Sequence, residues 1–372
     1  MSSLKRYNSL NAQLSSTAST NIAMENSQMT MSELINKVVA ACGVKPLIKK
    51  GAINLFMDIP CHLKVVTKMA IDEFVELYNA SHDIPIHSPL LTEDAFQGIE
   101  IYLKFAQTEE DLPDVLVVSS LQTVLSRRFR EKFIDTDMYT GITSDDALKT
   151  IPETFSNPLR QSNIGIYAAG YWSVVCDLSI KPPYVPCPNR WSDLVDPLYK
   201  NLITVPGYKG CTSIAMLLML MKEQFGSSAA TDFAANIRNI WDLDVILKSL
   251  DSNEARRTPF NLVPSAATIQ LPPQKRAAVL EFEDGPLLAP MHMFVKTSRI
   301  EECRPIINYF HSNIMQNALS RGDYDLASRV NWEKPFGFPS WEYLLNNDYE
   351  ELTTMLDTEL HKGLRSDVFQ NC

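Results

Sequence analysis

Three times along the chain a short apolar run is followed by a polar break, and then by apolar residues recurring every three to four positions. The first run is Ile53 to Ile59 (INLFMDI), broken by one charge, Asp58; after Pro60-Cys61-His62 comes the periodic stretch VVTKMAIDEFVELYN. The second is DVLVV at Asp114 to Val118, followed by Ser119-Ser120 and LQTVLSRRFREKF. The third is LITV at Leu202 to Val205, followed by PGYKGCTS and IAMLLMLMKEQFG. Short continuous apolar runs predict buried strands, and the period near 3.6 predicts helices. Their alternation implies βαβ units and a mainly parallel sheet. No period of solenoid type is present.

The ends of the chain read differently. Residues 1–28 are rich in Ser, Asn, Thr and Ala and carry little bulky apolar surface to offset the entropy of ordering, so they predict a flexible leader. Within 29–51, Leu34, Ile35, Val38, Val39 and Cys42 share one helical face, with Ser32 as N-cap and Gly43 as stop, which predicts an N-terminal amphipathic helix.

A chain of 372 residues outgrows a single hydrophobic core, so two domains or two lobes are expected. The longest apolar run, Ile214 to Met221, is far too short to cross a bilayer. A net charge of -10 with no Lys/Arg cluster beyond Arg127 to Arg130 and Lys275-Arg276 excludes a nucleic-acid-binding face. Seven scattered cysteines, with neither CxxC nor zinc-finger spacing, imply no disulfide framework. The first twenty residues lack the apolar core of a secretory signal, so the address as written is cytoplasmic; an atypical start site would make it periplasmic or cell-surface.

The breaks after the three strands hold the candidate chemistry. In open α/β sheets, ligands bind beyond the carboxyl ends of the strands, where helix N-termini present free N–H groups. Ser119 and Ser120 offer two hydroxyls suited to a carboxylate or oxyanion, and equally a plain helix cap. In the segment Tyr208, Lys209, Gly210, Cys211, Thr212 and Ser213, Gly210 permits close backbone approach, Thr212 and Ser213 supply donors and Lys209 a positive charge. The spacing is not that of a phosphate-binding P-loop. Cys61, His62 and Cys211 are candidate ligands for a metal ion or metal complex, although a free cysteine more often packs as a small hydrophobe. Tyr171 and Trp172, within IGIYAAGYWSVVCD, could stack on a ligand, with core packing the commoner role for such aromatics. The remaining histidines show no HExxH spacing, and Met216, Met219 and Met221 read as core.

Three stretches carry a resemblance. PNRWSDLVDPLYKNLITV, through Trp191, Asp193, Leu194, Asp196, Pro197, Tyr199 and Lys200, resembles an element of the extracellular solute-binding proteins of ABC transporters, in particular the ferric-ion and small-anion receptors. Glu283-Asp284-Gly285 with Pro290 and HMFVK resembles the family's returning hairpin. Phe310, Ser312, Gln316 and Gly322 match its late helices. With PDVLVVSS, the resemblance covers residues 50–345.

The resemblance implies a two-lobed, type II periplasmic-binding-protein fold, each lobe a mainly parallel sheet flanked by helices. It divides the chain into lobe 1 (52–165), lobe 2 (166–261), a return to lobe 1 (262–320) and closing C-terminal helices (321–372). The Cys61-His62 and Ser119-Ser120 loops would then face Tyr208–Ser213 across a ligand cleft. It implies a non-catalytic receptor for a small molecule, oxyanion or metal ligand, with ABC-transporter membrane subunits as partners. Ferric-ion receptors commonly use an adjacent tyrosine pair, and this sequence has no Tyr-Tyr dipeptide. Other readings stay open: a cysteine-dependent enzyme on the same fold, similar to thiamine- or pyrimidine-related enzymes and using Cys61 or Cys211; a cytoplasmic ligand sensor; or an interaction protein.

Overall fold

The structure is a computed structural model that describes residues 48–89, 103, 106–119, 124–208, 211–212, 214–250, 252, 255–269, 271 and 277–363. The expected leader, nearly all of the expected helix at 29–51, and Ser120, Lys209, Gly210 and Ser213 lie outside the described residues.

The three apolar runs form β1 (Ile53–Met57), β3 (Val115–Val118) and β6 (Ile203–Tyr208). All residues of β1 and β3 are buried, as strands covered on both faces require. β1 pairs in parallel with β3 and with the short β2 (Ile86–His87), while β6 pairs in parallel with β8 (Ile237–Trp241) and β9 (Phe260–Pro264). Each lobe is thus built on three parallel strands.

Two long strands join these cores. β5 (Ala168–Asp177) pairs antiparallel with β9, and β11 (Leu287–Lys296) pairs antiparallel with β3. β5 and β11 pair with each other over Ala168–Trp172 and Leu287–Met291. The antiparallel strands β4 (Tyr139–Gly141), β10 (Ala277–Val279) and β12 (Asp325–Leu326) line β11 and β5. The core of each lobe is parallel, as expected, and the crossing strands make the combined sheet mixed. A chain that leaves a lobe along one strand and returns along its neighbour makes an antiparallel pair.

Helices cover the faces. α1 (Lys64–Asn79) buries Thr67 and Ile71, and its end is fixed to β2 by two hydrogen bonds, Asn79 Nδ2 to the Ile86 carbonyl (3.0 Å) and Ile86 N–H to Asn79 Oδ1 (2.7 Å). α2 (Ala215–Phe225) buries Leu217 through Met221 without a break, so Met219 and Met221 are core. One apolar cluster runs through both lobes, from Phe56 and Leu116 to Phe233 and Leu262, and gathers Trp332, Phe338 and Trp341. A second fills lobe 1 around Leu55, Val117, Met293 and Phe310. Burying one such side chain contributes about 2 kcal/mol.

The stretches that carry the resemblance meet in space. Trp191 is buried; its backbone N–H donates to Asp284 Oδ2 at 3.1 Å, and its indole Nε1 donates to the Gly285 carbonyl at 2.9 Å. Asp193 Oδ2 accepts from the N–H groups of Asn189 (2.8 Å) and Arg190 (3.1 Å), and the Arg190 guanidinium pairs with Glu283. Gly285 has φ +76°, and a Cβ there would lie 1.8 Å from the Pro335 carbonyl oxygen. Only glycine fits so close an approach.

Candidate cleft between the lobes

The position of the site follows from strand sense. β11 is antiparallel to β3, β5 to β11 and β9 to β5, while β6 is parallel to β9. β1 and β3 therefore run opposite to β6, β8 and β9. The carboxyl ends of both sets point toward the crossing where β5 and β11 pair. Ligand-binding loops belong at such ends.

On the lobe-1 side, β1 runs into Asp58, Pro60 and a 3-10 turn, Cys61–Leu63, which leads directly into α1. The Asp58 carbonyl accepts the Ser119 N–H at 3.1 Å, so the loops after β1 and β3 are tied together. Thr67 Oγ1 donates to the Leu63 carbonyl at 2.6 Å and closes the turn. The His62 ring lies 5.7 Å from the Tyr324 ring, and its Nε2 is buried with no hydrogen-bond partner among the described residues. Burial pulls the His62 pKa down and favours the neutral imidazole.

Tyr324 rests on Gly170 of β5, where a Cβ would come within 2.4 Å of its ring. Burial and then the Asp58 and Asp323 carboxylates hold its phenol well above the ordinary tyrosine range. The lobe-1 wall therefore gathers His62, Tyr324, Asp58 and Asp323, and burial favours the neutral forms of the imidazole, the phenol and the Asp323 carboxyl.

Sequence reasoning passed over Asp58, Asp323 and Tyr324. For Asp58 the signal was visible, as the one charge interrupting INLFMDI; for Tyr324 nothing local distinguishes it, because it reaches the site through a turn far along the chain.

The other expected residues fall as follows. The backbone of Cys61 stands at the lobe-1 loop. Ser119 follows β3 at the crossing; Ser120 lies outside the described residues, and the later helix Arg127–Phe129 is capped by Ser126, whose side chain accepts the Phe129 N–H. Tyr208 and Cys211 pair across a hairpin between β6 and β7 (Cys211–Thr212), with Gly207 opposite Thr212. The lobe-2 element thus contains a strand hairpin, and the helix Ala215–Phe225 follows it with Ile214 as N-cap. Tyr171 and Trp172 are consecutive on β5 and half-buried, so their side chains leave opposite faces of the sheet. Burial, then Asp325 and Asp323, raise the Tyr171 pKa.

Among the described residues no group of three or more His, Cys, Asp or Glu could hold a metal by itself, and no helix is long and apolar enough to cross a membrane.

The family model described as bacterial extracellular solute-binding protein matches residues 110–347. The chain belongs to this family. A search by sequence among curated proteins gives no match. Solved structures agree on the fold. The apo ferric ion-binding protein A of Pasteurella haemolytica superposes with a TM-score of 0.59 at 15% identity, covering 85% of this chain and 99% of that one. An ABC transporter structure from Clostridium perfringens gives 0.53 at 13%, covering 84% and 100%. The periplasmic binding protein AfuA from Actinobacillus pleuropneumoniae, with exogenous fructose-6-phosphate bound, gives 0.53 at 12%, covering 84% and 99%. As a member of the solute-binding family on a type II fold, the chain binds a small ligand in the cleft between its lobes, and the enzyme, sensor and interaction-protein readings receive no support.

Proposed function

We propose that this solute-binding protein closes its lobes on a positively charged solute, in the first place a metal ion or metal complex. The observation that carries the reading is the wall formed by Asp58, His62, Asp323 and Tyr324. His62 Nε2 has no partner among the described residues, and a metal would take the place of the proton that burial, and then the Asp58 and Asp323 carboxylates, hold on the Tyr324 phenol. The ferric ion-binding neighbour supports this class of ligand, and the fructose-6-phosphate complex is the counter-case. Ser119 and the Tyr208–Thr212 hairpin supply the remaining contacts from the two sides. Binding in the cleft shifts the protein toward its closed state by the difference in affinity between the two states. The family's extracellular character supports a periplasmic or cell-surface address and delivery to ABC-transporter membrane subunits.

The test is a thermal-shift titration of the full chain with ferric citrate, other metal salts and fructose-6-phosphate. A ligand at a hundred times its Kd stabilises by about 2.7 kcal/mol. A metal is expected to raise the melting temperature, and Tyr324→Phe to reduce that rise. If the phenol coordinates the metal it loses its proton, so binding tightens as pH rises. Stabilisation by fructose-6-phosphate alone would overturn the cationic reading and leave family membership intact.

A further inference from the structure

Away from the cleft, Cys176 near the end of β5 and Cys187 in the segment leading to Trp191 place their sulfurs 4.0 Å apart. Cys176 is buried and Cys187 exposed. We propose that Cys176 and Cys187 form a dithiol poised to close into a disulfide by exchange with a small-molecule disulfide, latching the 177–187 loop onto lobe 2.

The intervening loop is already shaped for closure. Asp177 Oδ1 accepts from the Ser179 N–H (3.0 Å) and hydroxyl (2.6 Å), and the Asp177 carbonyl accepts the Lys181 N–H at 3.2 Å. Lys181 Nζ donates to the Val185 carbonyl at 2.6 Å, and the Val185 N–H donates to the Pro182 carbonyl at 3.1 Å. These bonds hold the two ends of the loop together while both thiols are reduced. A disulfide needs sulfurs about 2.05 Å apart, so side-chain rotation and a small shift of the exposed Cys187 complete the approach.

The chemistry is ordered by access. The Cys187 thiolate attacks the small disulfide, forming a mixed disulfide and releasing one thiol. The Cys176 thiolate then attacks the Cys187 sulfur, forming the bridge and releasing the second thiol. Two protein thiols and one external disulfide give one protein disulfide and two external thiols. Burial, followed by the nearby Cys187, pushes the Cys176 thiol up to about 12, which makes the second step the slower one. Cys303, the other buried thiol among the described residues, has no such neighbour among the free cysteines described. An oxidising compartment would supply the disulfide partner.

The test equilibrates the reduced full chain with glutathione disulfide and reads the tryptic peptide Gln161–Arg190, which holds both cysteines because Lys181 precedes Pro182 and is not cut. The expected result is a peptide lighter by two hydrogens, with an equilibrium constant at least about tenfold higher in the folded chain than in the urea-unfolded one. Cys187→Ser, a surface change, is expected to abolish the product, and Cys176→Ala to leave a glutathione adduct on Cys187. A folded-state constant no higher than the unfolded one, or a stable glutathione adduct on wild-type Cys187, would overturn the proposal.

Discussion

Each lobe buries an aspartate that pairs with a cation at a strand end, Asp114 in lobe 1 and Asp177 in lobe 2, and the two are held differently. In lobe 1, Asp114 lies between two cations, Lys296 Nζ at 3.3 Å and Arg299 Nη1 at 3.0 Å, and accepts from Asn54 N–H at 2.7 Å. In lobe 2, Asp177 pairs with a single cation among the described residues, Arg257 Nη1 at 3.1 Å, and closes its own turn. The partners differ in origin as well as number. Lys296 ends β11 and Arg299 lies in the turn after it, both reached after the chain has passed through lobe 2, whereas Arg257 lies just before β9 in the same lobe as Asp177. Lobe 1 is completed by late chain; lobe 2 closes on itself.

Removing the two aspartates tests that contrast most strongly. Asp114→Ala strands Lys296, which is 8% exposed, and is expected to cost about 3–5 kcal/mol in urea unfolding. Asp177→Ala frees a more accessible arginine and should cost less, about 1–3 kcal/mol. Equal losses would erase the distinction.

The next effect is a pH dependence carried by the crossing strand. His292 on β11 is fully buried, and its Nδ1 donates to the Gly165 carbonyl at 2.7 Å. Its ring meets Trp341 edge-on, and burial pulls its pKa down to about 4. A folded pKa below the unfolded value means that the unfolded chain binds the proton more readily. The stability is therefore present above about pH 6.5 and lost as pH falls toward about 4, by about 3 kcal/mol in all. Urea midpoints across that window should fall in the wild type and fall less in His292→Gln.

A smaller effect separates the cleft wall from the core. Gly170→Ala pushes on the Tyr324 ring and is expected to cost about 1–3 kcal/mol. It should also weaken the ligand-induced thermal shift, because Tyr324 moves. A variant that loses stability and keeps full ligand response would place the ligand away from Tyr324. Smallest is Ser340→Ala. Ser340 accepts the Tyr343 N–H at 3.0 Å at the start of the Trp341–Asn346 helix, and its loss should cost about 1 kcal/mol without touching binding.

Much of this was legible in the sequence. The runs INLFM, VLVV and LITV announce their strands because parallel strands covered on both faces must be apolar throughout. The Trp191 and Glu283-Asp284-Gly285 stretches stand out because they bond to one another, so their residue types are fixed together. The candidate wall was legible by halves. His62 and Ser119 sit at strand ends, and strand ends can be counted along the chain. Asp323 and Tyr324 reach the same wall through a turn near Gly322, where a Cβ would fall 2.2 Å from Leu63 Cδ2. No local period records that approach. The hairpin of β6 and β7 was hidden for another reason: Cys211-Thr212 is too short a strand to leave an alternating pattern.

The pairing of β3 with β11 also sets a timetable. Residues 119–286 intervene between the two, so a ribosome delivers the whole of lobe 2 before the partner of β3 exists. Until then the nascent first lobe carries a fully apolar strand, VLVV, with an open edge, a template for pairing with other chains. The order of synthesis runs against the order in which this sheet can close.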